Sequence, residues 1–486
     1  MKESIENSTY DVRLYPSDWR FSAAIVGIIK FFRFCETNLN LKIDYREDKD
    51  SILYHSEDVL GEEARSRYLQ FVENEFQFGM PHRVIEDMLK SETPLTSDQK
   101  KLINDKLKAN KVCKEVFENI KYTEENRQTI LDLIEKYRED LILKTYTKAQ
   151  SMYAKYCHSY KEKNFLFKND CKTCRVNNYY EDFDKKSKSI SFFGNSQTLI
   201  IQDFQEFDFI PFAFTKTEDS FFINNNCSIS DLYNANSDLQ WKLRVVAETD
   251  KNSFQYSFYD TIKEIVAYVN YDVEVIHIYQ HENTDAMFYE TIFLRKRAVR
   301  ILQNITPVDE KILKAPCKIS KDKNYCKISD IVIKHIINQQ HLDNLIEKLI
   351  KDNENQHYWL LIVLIKINQQ IYGGSKMEDK RLKKAVYTGK DVVRKLLHEN
   401  AKNKINSYRQ KLISALAMHD YDRFSEVLLQ LSSYVGIPFD FAYDLFENFE
   451  LNKNIAYAFV ASLDANSLEK KQDEEKNNDK NTEVQE

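Results

Sequence analysis

Glycine is scarce in this chain, eight residues in 486, and the scarcity removes whole classes of function. Neither G-x-x-x-x-G-K-[ST] nor G-x-G-x-x-G occurs, so the backbone cradles that ordinary nucleotide enzymes use for phosphate are missing. No G-x-S-x-G, no H-E-x-x-H and no cysteine and histidine pair with a third orienting group stands out, which leaves no recognisable catalytic centre. Long apolar runs are lacking too. The stretch from Trp19 to Cys35 is interrupted by Arg20, Lys30 and Arg33, and Tyr358 to Ile367 is only about half of the roughly twenty residues a membrane span needs. Both read as buried helices. Nor is there an excess of one charge: 70 Lys and Arg stand against 76 Asp and Glu, a net −6. Any polyanion must therefore be met by a local patch and not by a globally basic surface. Eight cysteines without a secretory signal point to free thiols or a metal site in a reducing, cytoplasmic setting.

What the chain does have is a charge-polarised carboxy-terminal segment. From Lys376 to Arg423, thirteen Lys and Arg face six acids; from Phe424 to Leu463, one Lys faces five. Leu382, Val386, Val393 and Leu397 fall on one helical stripe, Ile405, Tyr408, Leu412 and Leu416 on a second, and Phe424, Leu428, Leu431 and Val435 on a third. Asp420 is a cap for the third helix. Gly436 and Pro438 end it and start a fourth through Phe441, Leu445 and Phe449. Lys383, Lys384, Arg394, Lys395, Lys402, Lys404, Arg409 and Lys411 lie mostly between the apolar positions, as a cationic face able to replace phosphate counterions or as an ordinary solvated surface.

Length predicts about three domains, and the texture suggests where they fall. Residues 1–158 read as a helical amino-terminal region with a helix start at Pro16-Ser17-Asp18 and further helices at 62–77, 97–120 and 124–158. Residues 159–330 read as an α+β region, with strands around Ser189–Phe193, Phe207–Ile210, Leu243–Glu248, Val273–Ile278 and Phe288–Leu294. Connecting helices fill 331–372, the helical bundle 373–463, and an acidic tail at 464–486 is expected to be disordered. The fold class is α+β, predominantly helical.

Three further places could carry chemistry. Cys171-Lys-Thr-Cys174 spaces two thiolates for one zinc ion, with Cys157, His158 and Cys227 the nearest candidates for the missing ligands; a packing pair of thiols and a redox pair are the alternatives. His277 and His281 would converge on a helix but lie in an alternating, strand-like stretch, and His419-Asp420 matches a metal-binding dipeptide or simply a helix cap. Arg295, Lys296, Arg297 and Arg300 form a second cationic cluster beside Phe288, Tyr289 and Phe293, suited to phosphate and base contact or to ion pairing with Glu282, Asp285 and Glu290.

Tyr15-Pro-Ser-Asp-Trp19 through Ala24-Ile-Val-Gly27, the C-x-x-C, Phe221-Phe-Ile-Asn-Asn-Asn226, Gly374-Ser-Lys376, Ala385-Val-Tyr387-Thr-Gly389 and Ile455-Ala-Tyr457-Ala-Phe459 through Leu463 occur in an order that resembles one family. It is the large subunit of the type I-B CRISPR Cascade complex, the family of paired C-x-x-C motifs. This sequence departs from it where the second C-x-x-C belongs, having Phe209-Ile-Pro-Phe-Ala-Phe214 instead; an apolar cluster can replace a structural metal there. The resemblance implies a non-catalytic protein that helps recognise the motif flanking the target. It also implies partners: the guide RNA–protein filament, target double-stranded DNA, the displaced single strand and a helicase–nuclease, with no membrane. In some relatives the carboxy-terminal bundle is also made alone from an internal start, for which Met377 is placed here. A metal-dependent nuclease and a protein-binding scaffold are the rival readings.

Overall fold

The computed structural model describes residues 2–4, 9–91, 93–118, 120–157, 165–169, 174–176, 203–216, 219–249, 258–269, 271–280, 287–318, 325–352, 357–373 and 376–464. Among them the fold is predominantly helical with two small antiparallel sheets. Ser189–Phe193, Cys171, His158, His281 and the tail from 465 onward lie outside the described residues. The chain divides into two compact units, one of Met1–Tyr256 with Val273–Phe293, the other of Ser257–Asp272 with Leu294–Glu486.

The first unit is built around the opening helix Trp19–Asn38. Asp18 caps it by accepting from Arg20 N–H at 2.8 Å, and its apolar residues run nearly all the way round, which a helix tolerates only when surrounded by protein. What surrounds it includes the segment with no second C-x-x-C. Residues Gln205–Phe209 form a 3-10 turn that continues into the short helix Ile210–Ala213. Gly27 is required there: a Cβ would stand 2.1 Å from the carbonyl oxygen of Phe209. Phe31, Tyr68, Phe71, Phe209 and Phe212 interlock, with Phe71 and Phe212 ring centres 4.3 Å apart. This is the apolar cluster that the sequence placed where the metal motif is absent.

Buried ions cross the same core. Arg175 reaches Asp203 at 2.8 Å and Asp208 at 2.7 Å, while Tyr153 donates to Asp208 at 2.6 Å. Burial opposes the charge on Arg175, but the Asp208 and Asp203 carboxylates more than compensate and hold it charged. The two carboxylates bind segments distant in sequence to one guanidinium, and losing Arg175 would leave both without their counter-charge in the core.

Two sheets flank this core. Strands Lys2–Ser4, Val12–Leu14, Ile52–Tyr54 and Tyr45–Glu47 lie side by side in that order, with Val12 opposite Tyr54. Ser220–Asn224, Val273–Gln280 and Met287–Leu294 make the second, with Phe221 opposite His277. A satellite core under helices Pro81–Lys90, Ser97–Lys106, Lys111–Phe117, Arg127–Lys136 and Arg138–Lys148 gathers Ile85, Ile103, Phe117, Ile130 and Ile134.

Several expected elements differ. Leu243–Glu248 belongs to the helix Ile229–Thr249, because Ile229, Leu232, Ala235, Leu239 and Leu243 recur at helical spacing and are buried. Phe207–Ile210 is not a strand: its rings fill a core around a 3-10 turn, and aromatic content here reports burial and not sheet. The helix expected over 97–120 is two, and that over 124–158 is three, with breaks at Tyr137 and after Lys148.

In the second unit, Phe258–Tyr268, Lys296–Gln303, Pro307–Lys314 and Ile328–Ile337 pack together, followed by Asp343–Lys351 and Tyr358–Tyr372. Gly373, at φ +96°, closes the last of these in the left-handed conformation. Among the described residues no helix is long and apolar enough to cross a membrane.

Candidate nucleic-acid interface

The carboxy-terminal bundle has the helices Lys376–His398, Lys402–Ala417, Tyr421–Val435, Ala442–Glu447 and Phe449–Ser462. Asp420 caps the third, its carboxylate accepting from Arg423 N–H at 3.0 Å, and Gly436 ends it at φ +60°. Phe424, Leu428, Leu431 and Val435 are buried as their spacing predicts. The expected fourth helix is instead two, broken at Asn448, whose extended backbone and side chain start the last helix by accepting from Leu451 N–H at 3.1 Å. That last helix is the hub: Lys453 to Ser462 are all buried, and it packs on both Lys376–His398 and Tyr358–Tyr372. Polar ties fix it, Tyr457 to Glu347 at 2.7 Å and Asn454 to Asn368 at 2.8 Å.

With its inner side committed to the hub, the first bundle helix shows its other side to water. Leu382, Ala385, Gly389, Val392 and Leu396 are buried; Lys380, Lys383, Lys384, Arg394 and Lys395 are exposed. At 100° per residue these five cations fall within an arc of about 120°. Tyr387, 65% exposed, lies in the middle of that arc. Three nearby acids touch the helix: Asp391 pairs with Arg394 at 2.8 Å, Asp440 with Lys384 at 2.6 Å and Asp444 with Arg381 at 3.2 Å. The first two pairs are open to solvent, where such contacts contribute little and a polyanion can displace them. Lys380, Lys383 and Lys395 make no ion pair among the described residues.

The second bundle helix does not continue the stripe as its sequence suggested. Lys404 and Lys411 share one exposed side, Lys402 is exposed about half a turn away, and Lys411 lies 5.5 Å over the ring of Tyr408. Arg409 points inward among Ile405, Leu412 and Leu416. Its Nε is buried without a hydrogen-bond partner, and burial lowers its pKa against the pull of Asp464. Position in the heptad-like spacing carried that information: Arg409 is four residues from Ile405 and three from Leu412.

The cluster at 295–300 separates into different roles. Arg295 precedes the helix Lys296–Gln303, and Arg295, Lys296, Arg297 and Arg300 are all exposed. Arg297, however, donates to the carbonyls of Gln370, at 3.3 Å, and Ile371, at the carboxy-terminal end of Tyr358–Tyr372. It adds a side-chain donor to a helix end whose Gln370 carbonyl also accepts from Gly373 N–H at 3.1 Å. The neighbouring aromatics are divided as well: Tyr289 packs 5.5 Å from Trp19 in the first unit, Phe288 stacks on Tyr279 and Phe293 is exposed. Of the expected acidic partners, Glu290 is engaged with His277 at 3.3 Å, while Glu282 and Asp285 lie outside the described residues.

The metal candidates fare unevenly. Cys174 is buried with the Arg20 guanidinium 3.9 Å from its sulfur, and the Cys157 thiol is directed at the Phe207 carbonyl at 3.9 Å. Burial pushes the Cys174 thiol up to about 11. Cys171 lies outside the described residues. His277 sits in a strand between Asp219 and Glu290. His419, at φ +54°, ends one helix, contacts Tyr421 and precedes the cap Asp420.

No curated protein and no solved structure matches this chain. A family model does, described as CRISPR-associated protein Csx8, over residues 10–254 and 244–463. Those two spans take in both compact units and the whole basic helix, and the chain belongs to the CRISPR-associated Csx8 family.

Proposed function

We propose that the protein is the non-catalytic large subunit of a guide-RNA surveillance complex of the Cascade kind, gripping nucleic acid with the outer side of Lys376–His398. The observation that supports this reading is the alignment of Lys380, Lys383, Lys384, Arg394 and Lys395 on one exposed side of a helix whose opposite side is locked to the hub. Such a stripe neutralises successive phosphates without reading sequence, which suits a complex that leaves sequence to base pairing. Tyr387 adds a ring on which an unpaired base can stack. Membership in a CRISPR-associated family makes target DNA, its displaced strand and the guide filament the fitting partners, with a helicase–nuclease recruited afterwards. Arg295, Lys296 and Arg300 supply a second contact of the same chemistry. Arg409 and Arg297 are left out, being held by the bundle core and by a helix end.

The test is a gel shift of the full chain with single-stranded DNA across a salt series. Replacing Lys383, Arg394 and Lys395 by Glu should weaken binding at low salt by at least tenfold. The slope of log affinity against log salt should flatten by about one for each lost phosphate contact. Unchanged affinity and slope, with an unchanged circular dichroism spectrum, would remove this helix from the interface and favour a scaffold. Cleavage of the DNA in the same assay would favour a nuclease.

A further inference from the structure

Between the helices Pro307–Lys314 and Ile328–Ile337 the chain forms a short antiparallel bridge in which Cys317 faces Cys326, and Cys326 N–H donates to the Cys317 carbonyl at 2.8 Å. The connection between Asp343–Lys351 and Tyr358–Tyr372 brings His357 to the same place. Its Nδ1 is 3.9 Å from Cys317 Sγ, and its Nε2 is 3.1 Å from the buried Asp352 carboxylate. A carboxylate on Nε2 holds the proton there and leaves the Nδ1 lone pair directed at the thiol.

We propose that Cys317, Cys326 and His357 are the donors of a zinc site, with Asp352 as the carboxylate that orients the imidazole. Two thiolates and a histidine backed by a carboxylate are a donor set that zinc prefers, leaving the fourth tetrahedral position to a water. Zinc–sulfur and zinc–nitrogen bonds of about 2.3 and 2.05 Å at the tetrahedral angle put sulfur and nitrogen about 3.6 Å apart. The distance of 3.9 Å between Cys317 and His357 is thus close to the bound geometry. Among the described residues, these four included, no group of three His, Cys, Asp or Glu side chains is already placed to hold a metal ion, so binding requires Cys326 to turn its thiol toward the Cys317–His357 pair.

The site would clamp two interhelical connections that are 40 residues apart at Cys317 and His357. It is separate from the C-x-x-C at Cys171 and Cys174, which the sequence had singled out.

The experiment measures zinc per chain in full-length protein purified without chelator, for the wild type, Cys317→Ser with Cys326→Ser, His357→Ala, and Cys171→Ser with Cys174→Ser. Zinc content should fall by one equivalent in the first two variants and stay at the wild-type level in the third. A wild-type zinc content in the Cys317→Ser and Cys326→Ser protein would overturn the site. So would a wild type that takes up no zinc, or a Cys317–Cys326 disulfide found by peptide mapping of protein kept with zinc. Should these variants fail to fold, the wild type exchanged into cobalt still decides: an absorption band for thiolate-to-cobalt charge transfer is expected, and its absence counts against the proposal. Asp352→Asn, which keeps all three donors, should weaken affinity by about 10–100-fold in a chelator competition; an unchanged affinity would remove Asp352 from the site.

Discussion

Glu86 shows how one side chain ties the satellite core together. Arg138 reaches it at 2.7 Å and Glu73 at 2.6 Å, and Lys90 reaches it at 2.6 Å. Burial alone would raise the Glu86 pKa, but hydrogen bonds from Arg138 and Lys90 win and lower it from 4.5 to about 2. A depressed folded pKa means stability that is present above the ordinary value and lost as pH falls toward the folded one. The melting temperature of Glu86→Gln should therefore lie below the wild type at neutral pH, and the gap should close as pH is lowered from about 4.5 to about 2. Gly27 gives a second residue-scale outcome. Alanine there gains about 1 kcal/mol of helix propensity, yet its Cβ meets the Phe209 backbone at 2.1 Å. Overpacking against backbone costs about 1–3 kcal/mol or more, so Gly27→Ala should lower the urea midpoint.

Elements were legible where periodicity was long and one-sided. The opening helix, the third bundle stripe, the cap at Asp420 and the strand Val273–Gln280 all stand where their patterns put them, whereas the first stripe is turned by about one residue, burying Ala385, Val392 and Leu396 and leaving Val386 and Leu397 half-buried. The amino-terminal sheet was not legible, since its strands are three residues each and too short for alternation to register. The hub helix was visible only as the stretch Ile455-Ala-Tyr457-Ala-Phe459. Its all-round apolarity signals burial but not which neighbours share it. Composition placed the cations on the first two bundle helices, and it is the spacing of Arg409 from Ile405 and Leu412 that separates it from Lys383 and Lys395. Cys317 and His357 are 40 residues apart, so no local spacing announces them. At Gly389 a Cβ would stand 1.8 Å from Ser462 Oγ. Gly389→Ala should therefore loosen the seating of the basic helix on the hub, lowering thermal stability, and Ser462→Gly should restore part of the loss in the double variant.

At the scale of the whole molecule, the two compact units interleave along the sequence. The helix Phe258–Tyr268 belongs to the second unit, while the strands that follow return to the first. Cutting after Tyr256 therefore separates neither unit intact. The fragment 1–256 would lose Val273–Gln280, the partner of strand Ser220–Asn224, and uncover Phe222. It should bind a hydrophobic dye and melt without a cooperative transition, checked by fluorescence and calorimetry against the full chain. The same threading orders events on the ribosome. Because the last strand of the first unit ends where the second unit resumes, the amino-terminal unit cannot finish until Phe293 has left the exit tunnel. The newborn helix Phe258–Tyr268 must wait beside it, its apolar side unclaimed, for partners still to be translated. That interval is when the nascent protein depends most on chaperones, and slow codons just after Phe293 would lengthen its exposure.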